Sequence, residues 1–159
     1  MIKSKLTAWE RGEEPTLEPA AGPPPDTYFA DSGVSMSADE LARAAGLTKT
    51  QVEQLVDQKV LEPFILDDDT AVFRDDELVI ARAAHRLLAH GLEARHIRAF
   101  RLAAQREVDL FRGITEPLVR HHNPENRKRA AEILADAAQA GRDLQEAMVR
   151  AALRDVLEG

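Results

Sequence analysis

Two helix-start signals close together constrain this chain more than any other feature. Ser37 is followed three residues later by Glu40, and a glycine turn comes soon after. Thr48 is followed three residues later by Gln51. Both pairs have the spacing of a capping box, in which each side chain accepts a hydrogen bond from the other residue's backbone amide. The pattern predicts two short helices joined by a turn, a helix-turn-helix over residues 37–59.

The side chains of this motif favour a packed fold but not contact with DNA. Apolar residues at helical spacing supply the inward faces of the two helices: Leu41, Ala42 and Ala45, then Val52, Leu55 and Val56. The outward face of the second helix is nearly neutral, with Lys49, Gln51, Glu53, Gln54 and Asp57. A helix that reads the major groove usually needs Arg or Lys for phosphates and base edges. Lys49, Gln51 and Gln54 are therefore kept only as an alternative DNA-binding set.

The residues after this motif predict a small β-hairpin and then a series of helices. Two apolar stretches, 64–66 and 71–73, flank the turn Asp67–Thr70, a pattern typical of the wing of a winged helix. Residues 62–77 contain seven acids and one arginine, a balance of −6. A helix then begins near Asp75 or Asp76 and ends before Gly91. Another covers about 94–112, and Pro117 makes the next segment either a kinked continuation or a separate short helix.

A long helix is predicted at the C-terminus. Asn123 and Pro124 are typical of a helix start, and only a tolerated glycine interrupts the pattern up to residue 157. Within it, small and apolar residues alternate at spacings of four and three, as in a coiled-coil seam: Ala137, Gly141, Leu144, Met148 and Ala151. We expect this helix to pair with its twin in a homodimer.

The first 35 residues differ from the rest of the chain. Residues 2–11 could form a short amphipathic helix that would be marginal on its own. Residues 13–35 contain five prolines and five acids without any Lys or Arg, which indicates an extended linker.

The predicted elements together make the fold class mainly α. We expect a degenerate winged helix with a small hairpin wing, followed by helices that end in a long C-terminal one.

Composition excludes several classes of protein. The net charge of −7 opposes non-specific binding of nucleic acid, and the absence of cysteine excludes disulfides and thiolate metal sites. His85, His90 and His96 do not share a helical face, so we predict no metal and no cofactor. Neither a nucleophile elbow nor a glycine-rich phosphate loop is present, so we predict no enzyme. Without a membrane span or a signal peptide, the chain is expected in the cytoplasm.

One basic stretch leaves three interpretations open. Residues 82–106 contain six arginines and one glutamate, a balance of +5. The plainest interpretation is a solvated helix face whose arginines pair with the acidic wing. The second is a cleft for a small anionic effector, lined by Arg95, His96, Arg98, Arg101 and Arg106. The third, nucleic acid on this face, is disfavoured because almost no aromatic residues are available for stacking.

The order of these elements resembles the MerR family of transcription regulators. Residues 40–47, Glu-Leu-Ala-Arg-Ala-Ala-Gly-Leu, resemble that family's first helix and turn, and Val-Leu-Glu-Pro at 60–63 resembles the run before its wing. Residues 92–107, Pro117-Leu118 and 149–157 are more specifically similar to the C-terminal domain of the FtsR-like subgroup. The resemblance implies that a DNA-reading MerR head precedes such a module and that this head is not in the chain.

Departures from the family pattern decide the functional prediction. Glu53 occupies a position where DNA-binding members usually have arginine, and three aspartates form the tip of the wing. The resemblance implies the following organisation: a remnant of a preceding helix at 1–12, the linker at 13–35, a degenerate winged helix at 36–122 and a dimerisation helix at 123–157. We expect a regulatory dimerisation domain of a MerR-type regulator that meets DNA only through the head. Alternatives are a chain that binds DNA itself and an effector-sensing module.

Overall fold

The computed structural model describes residues 22–159, and the chain divides into two compact units. One unit is Phe29–Glu116, and the other combines Pro117–Gly159 with residues 22–28. The helix predicted at 2–11 and the first part of the predicted linker lie outside the described residues. The described chain is mainly helical, as the sequence predicts. None of its helices combines the length and the apolar character that crossing a membrane requires.

The two capping signals produce the two helices predicted from them. Helix α1 is a single turn, Pro25–Tyr28, and the helix-turn-helix consists of α2, Ala38–Ala45, and α3, Lys49–Asp57. The amide of Glu40 donates to Ser37 Oγ at 3.2 Å, and that of Gln51 donates to Thr48 Oγ1 at 3.1 Å. Gly46 ends α2 with a φ of 76°, a conformation that other residues adopt only at a cost. Both predicted capping boxes are confirmed.

A small antiparallel sheet completes the wing. Its strands are β1 (Ser35–Met36), β2 (Phe64–Ile65) and β3 (Ala71–Arg74), in the order β1-β3-β2. In the hairpin, Phe64 pairs with Val72, and Leu66 N donates to Thr70 O at 2.9 Å. Asp69 has a φ of 64° in the turn, which aspartate tolerates better than most residues. The predicted hairpin is confirmed, whereas β1 was not predicted because a strand of this length has no readable alternation.

The core of the Phe29–Glu116 unit lies between the helix-turn-helix, β3 and the next two helices. These are α4, Asp75–Ala89, and α5, Ala94–Val119. Leu41, Leu55 and Leu61 are completely buried, and burial of each leucine side chain contributes about 2 kcal/mol. Alanines 42, 45, 81 and 84 are also buried in this core, and their small side chains permit close packing of α2 against α4. The predicted inward faces are buried, except that Val56 is only half-buried.

Helices α4 and α5 are joined by a tight connection that includes Gly91, whose φ is 101°. Three acids occupy the first turn of α4, where their negative charge interacts favourably with the positive end of the helix dipole. Helix α5 continues through Pro117, so the kinked continuation rather than the separate helix is observed. Pro117 cannot donate to the carbonyl of Gly113, but Gly113 is exposed and water can replace that hydrogen bond.

The last helix, α6, covers Pro124–Glu158 and is 35 residues long. At about 1.5 Å per residue it extends for roughly 50 Å. Asn123 caps it by accepting a hydrogen bond from the amide of Glu125 at 2.9 Å, and Pro124 occupies the first helical position. The start predicted from these residues is confirmed.

Candidate functional surfaces

The outward face of α3 is where a winged helix would read DNA, and its charge is unfavourable for that role. Lys49 and Gln54 are exposed, but Gln51 is half-buried and its side-chain oxygen accepts from Thr48 N at 2.9 Å. Gln51 therefore caps the helix instead of projecting freely. Glu53 and Asp57 are exposed beside the single lysine of α3, which leaves the face with a net negative charge.

The wing next to this face is strongly acidic. Asp67, Asp68 and Asp69 are all exposed at its tip. Hydrogen bonding from the Thr70 side chain, and then from Thr70 N at 3.1 Å, lowers the pKa of the Asp68 carboxyl group. The guanidinium of Arg74, the one cation of the wing, lies 4.5 Å from the centre of the Phe64 ring. The negative charge of this tip would repel phosphates.

Two further carboxylates tie the wing to its surroundings. Asp75 accepts from the hydroxyl of Ser32 at 2.7 Å, and this hydrogen bond lowers the pKa of Asp75. Burial raises the pKa of Glu77, whose carboxylate accepts from Glu62 N at 3.2 Å. These contacts hold the chain before β1 and the segment before β2 close to the start of α4.

A cleft of about 420 Å³ lies beside α3, between that helix and the α4–α5 connection. It is lined by Gln51, Gln54, Asp57 and Gln58 on one side and by Leu88, Leu92, Glu93, Ala94 and Arg95 on the other. Arg95 Nε lies 2.8 Å from Glu93 Oε2, so the cation of this cleft is already paired. The cleft offers amides and carboxylates more than free positive charge.

The five residues predicted to line an anionic-effector site do not converge on one cleft. Arg95 is paired with Glu93, and His96 Nδ1 accepts from Glu93 N at 2.9 Å, which caps the start of α5. Arg98 and Arg106 are exposed on α5. Effector binding by this set stays a prediction. Among the described residues, no cluster of three or more His, Asp or Glu side chains is placed to hold a metal ion.

Arg101, the fifth of these residues, has a structural role that the sequence did not reveal. Its Nε donates to Lys59 O at 3.1 Å and its Nη2 to Val60 O at 2.7 Å. Lys59 has a φ of 64° where the chain leaves α3. Arg101 therefore fastens the end of the helix-turn-helix to α5, and no local signal predicts a contact between residues more than forty positions apart.

Helix α6 contains the residues of the predicted seam. Ala137 and Gly141 are half-buried, whereas Leu144 and Met148 are 59% and 61% exposed. A second set of exposed apolar residues lies beside the seam: Val149, Leu153 and Val156. At 100° per residue the two sets together cover roughly half of the helix circumference, which is wider than the seam of a two-stranded coiled coil.

Comparison with known proteins identifies most of the described residues as one domain. Residues 34–157 match the family model described as "Rv1828-like, C-terminal domain". Two similar relatives are "Uncharacterized HTH-type transcriptional regulator Rv1828" of Mycobacterium tuberculosis and "Uncharacterized HTH-type transcriptional regulator Mb1859" of Mycobacterium bovis. Each is 32% identical over 168 residues, covering 99% of this chain and 68% of the relative. Their names indicate transcription regulation rather than catalysis, as predicted, but do not mention the MerR or FtsR-like groups.

Proposed function

Since this chain belongs to the Rv1828-like C-terminal domain family, we propose that it is the regulatory, self-associating module of a helix-turn-helix transcription regulator. The observation on which this proposal depends is the apolar surface of α6. Leu144 and Met148 are more than half exposed, and further apolar side chains extend to the end of the helix. Exposed apolar surface of this extent on a long helix is typical of an interface between chains. A homodimer through α6 would bury it.

A dimer also fits the way helix-turn-helix regulators usually meet DNA. Two DNA-reading units related by a two-fold axis match the two halves of a palindromic operator. The charge of α3 and of the wing disfavours this module as the reading unit. We therefore assign DNA reading to a MerR-type head, as the FtsR-like resemblance implies, and spacing of the heads to this module.

Sedimentation of the chain and of Leu144→Arg tests the self-association. We expect the unmodified chain to sediment as a dimer, and the arginine in the seam to shift it towards monomer by burying an unpaired charge. Arg154→Glu, a charge change on an exposed residue of the same helix on the face away from both apolar sets, is the matched control and should leave the dimer in place. A monomer at every concentration, or equal dimers of both variants, would contradict the proposal.

The alternative is that this chain binds DNA itself, since its relatives are named HTH-type regulators. Lys49, Gln51 and Gln54 would then contact the duplex. Their surroundings argue against it, because Gln51 is engaged in a cap and Glu53 lies among them. An electrophoretic mobility-shift assay distinguishes the two functions, because only a chain that binds DNA itself should retard duplex DNA.

A further inference from the structure

The wing has an apolar edge directly beside its acidic tip. Phe64, Ile65 and Leu66 are 47%, 54% and 41% exposed, and among the described strands β2 pairs with β3 alone. Three consecutive large apolar side chains on an edge strand are unusual, because such edges usually have charged residues that prevent association. We call these three residues together with Asp67, Asp68 and Asp69 the wing surface.

The charges of the wing surface are not neutralised within the Phe29–Glu116 unit. Ion pairs in the described part of the chain join Arg95 to Glu93, Arg112 to Asp109 and Arg150 to Glu146, and none includes the wing. No ion pair of the described residues joins the arginines of residues 82–106 to the wing surface. A surface that is both apolar and acidic fits a partner with apolar and basic side chains.

Such a combination occurs on α5 of the same chain. Arg98, Leu102 and Arg106 follow one another at intervals of four, so they lie on one face of the helix. All three are exposed, Leu102 by 45%, and neither arginine forms an ion pair with another described residue. We call these three residues the α5 strip.

We propose that the wing surface of one copy of this chain binds the α5 strip of a second copy. Leu102 would pack against the Phe64–Leu66 edge, and the two arginines would pair with the aspartates of the tip. A partner strand added to β2 is disfavoured because β2 has only two residues and Pro63, just before it, lacks an amide hydrogen. Recognition therefore depends on side chains.

This contact is separate from the proposed α6 seam, because it uses only residues of the Phe29–Glu116 unit. A two-fold arrangement of two copies would form it twice, wing to strip and strip to wing. A nucleic acid or an anionic membrane would meet three aspartates at the same place and be repelled. A second copy supplies both the apolar and the basic groups that the wing surface lacks.

Paired charge reversals test the contact in the full-length chain with Leu144→Arg, which removes the α6 seam from the measurement. One protein has Asp67→Lys, Asp68→Lys and Asp69→Lys; the other has Arg98→Glu and Arg106→Glu. Sedimentation velocity of each protein alone should show association at least about tenfold weaker than in the parent. An equal mixture should recover it, because each wing then faces a strip of opposite charge. Rising salt should weaken the parent's association.

The controls separate this contact from general charge effects and from misfolding. A charge control changes the net charge as much as the wing reversal does, but outside the wing: Glu53→Lys, Glu132→Lys and Glu158→Lys together. This variant should leave association unchanged. A neutral control replaces all three tip residues with asparagine: Asp67→Asn, Asp68→Asn and Asp69→Asn. Asparagine tolerates the backbone conformation of the turn and can still accept a hydrogen bond from Thr70. This variant should weaken association less than the lysine variant does.

The outcomes also distinguish this proposal from the α6 seam. If the Leu144→Arg parent associates as strongly as the unmodified chain, the seam proposal fails, but the charge-reversed proteins can still be compared with that parent. Three results would each overturn the wing–strip contact. The parent and the charge-reversed proteins could associate equally, the mixture could fail to recover the parent's association, or the control reversal could weaken association as much as the wing reversal does. A wing surface that binds another protein instead would produce the first of these results.

Discussion

At the residue scale, Arg101 is the clearest case of a side chain with a role different from the expected one. It was predicted to bind an anion, but its guanidinium donates to two carbonyl oxygens at the end of the helix-turn-helix. Hydrogen bonds from a charged donor to partly buried carbonyls are among the stronger ones in proteins. The Arg101 guanidinium therefore stabilises the fold, and an anionic effector would have to compete with these two hydrogen bonds.

Arg101→Met should lower the free energy of unfolding by about 2 kcal/mol, because it removes both hydrogen bonds and retains most of the aliphatic stem. Chemical denaturation measures the change. Arg82→Met, on an exposed arginine of α4, is the matched control and should change stability by less than about 0.5 kcal/mol. Equal stability of the two variants would show that the Arg101 bonds contribute nothing.

Glu77→Gln should increase stability at neutral pH. Burial raises the pKa of Glu77, so the folded state holds this proton more tightly than the unfolded chain does. The stabilisation from the protonated form is complete below the unfolded pKa and is lost as the pH rises through the raised value. At pH 7 the ionised carboxylate is therefore unfavourable, and an amide can still accept from Glu62 N.

Thermal unfolding of the Glu77→Gln variant at neutral and acidic pH measures this effect. The advantage over the parent should be present at neutral pH and shrink as the solution is acidified. Asp39→Asn is the control: it removes an exposed acid from the first turn of α2 and should lower stability at neutral pH. A loss of stability from Glu77→Gln that is equal at both pH values would contradict the prediction.

At the element scale, helices α2, α3 and α6 begin where short-range hydrogen bonds satisfy their free amides. The caps at Ser37, Thr48 and Asn123 all involve groups two or three residues apart. This is why the sequence predicted these starts correctly. The sequence also predicted the hairpin, because a turn between two apolar stretches is a local pattern. It did not predict β1, whose partner on β3 is almost forty residues away.

Ser37→Ala and Thr48→Ala should each lower the free energy of unfolding by about 1 kcal/mol, because each leaves an amide of the first helical turn without its acceptor. Ser37→Asp, which keeps an acceptor, should preserve stability. Thr50→Ala, a similar change inside α3, should leave stability equal or slightly higher, since alanine favours helix. A denaturation series in which Thr50→Ala costs as much as Thr48→Ala would reject the capping assignment.

At the scale of the whole molecule, negative charge is concentrated where a winged helix would approach DNA. The chain has a net charge of −7, and residues 62–77 alone contribute −6. Binding to DNA depends on releasing counterions with lysine and arginine, and this surface has few to offer. This charge supports the proposal that the module contacts protein, including other copies of itself.

An electrophoretic shift assay at low salt with this chain alone should show no salt-sensitive binding of duplex DNA. Glu53→Arg combined with Asp68→Lys and Asp69→Lys should gain weak binding that disappears as salt increases, because the reversals restore cations to the same surface. Tight binding by the unmodified chain, lost in Lys49→Ala with Gln54→Ala, would establish the alternative function.

The sequence by itself determined the helix starts, the helix-turn-helix, the hairpin and the charge of the wing, because each depends on neighbours within a few residues. Only the tertiary structure decided what the long side chains contact. Arg101 reaches Lys59 and Val60, and Asp75 reaches Ser32, across more than forty residues of chain. Such contacts depend on how helices and strands pack, and packing depends on the shape of the whole core rather than on a short sequence pattern.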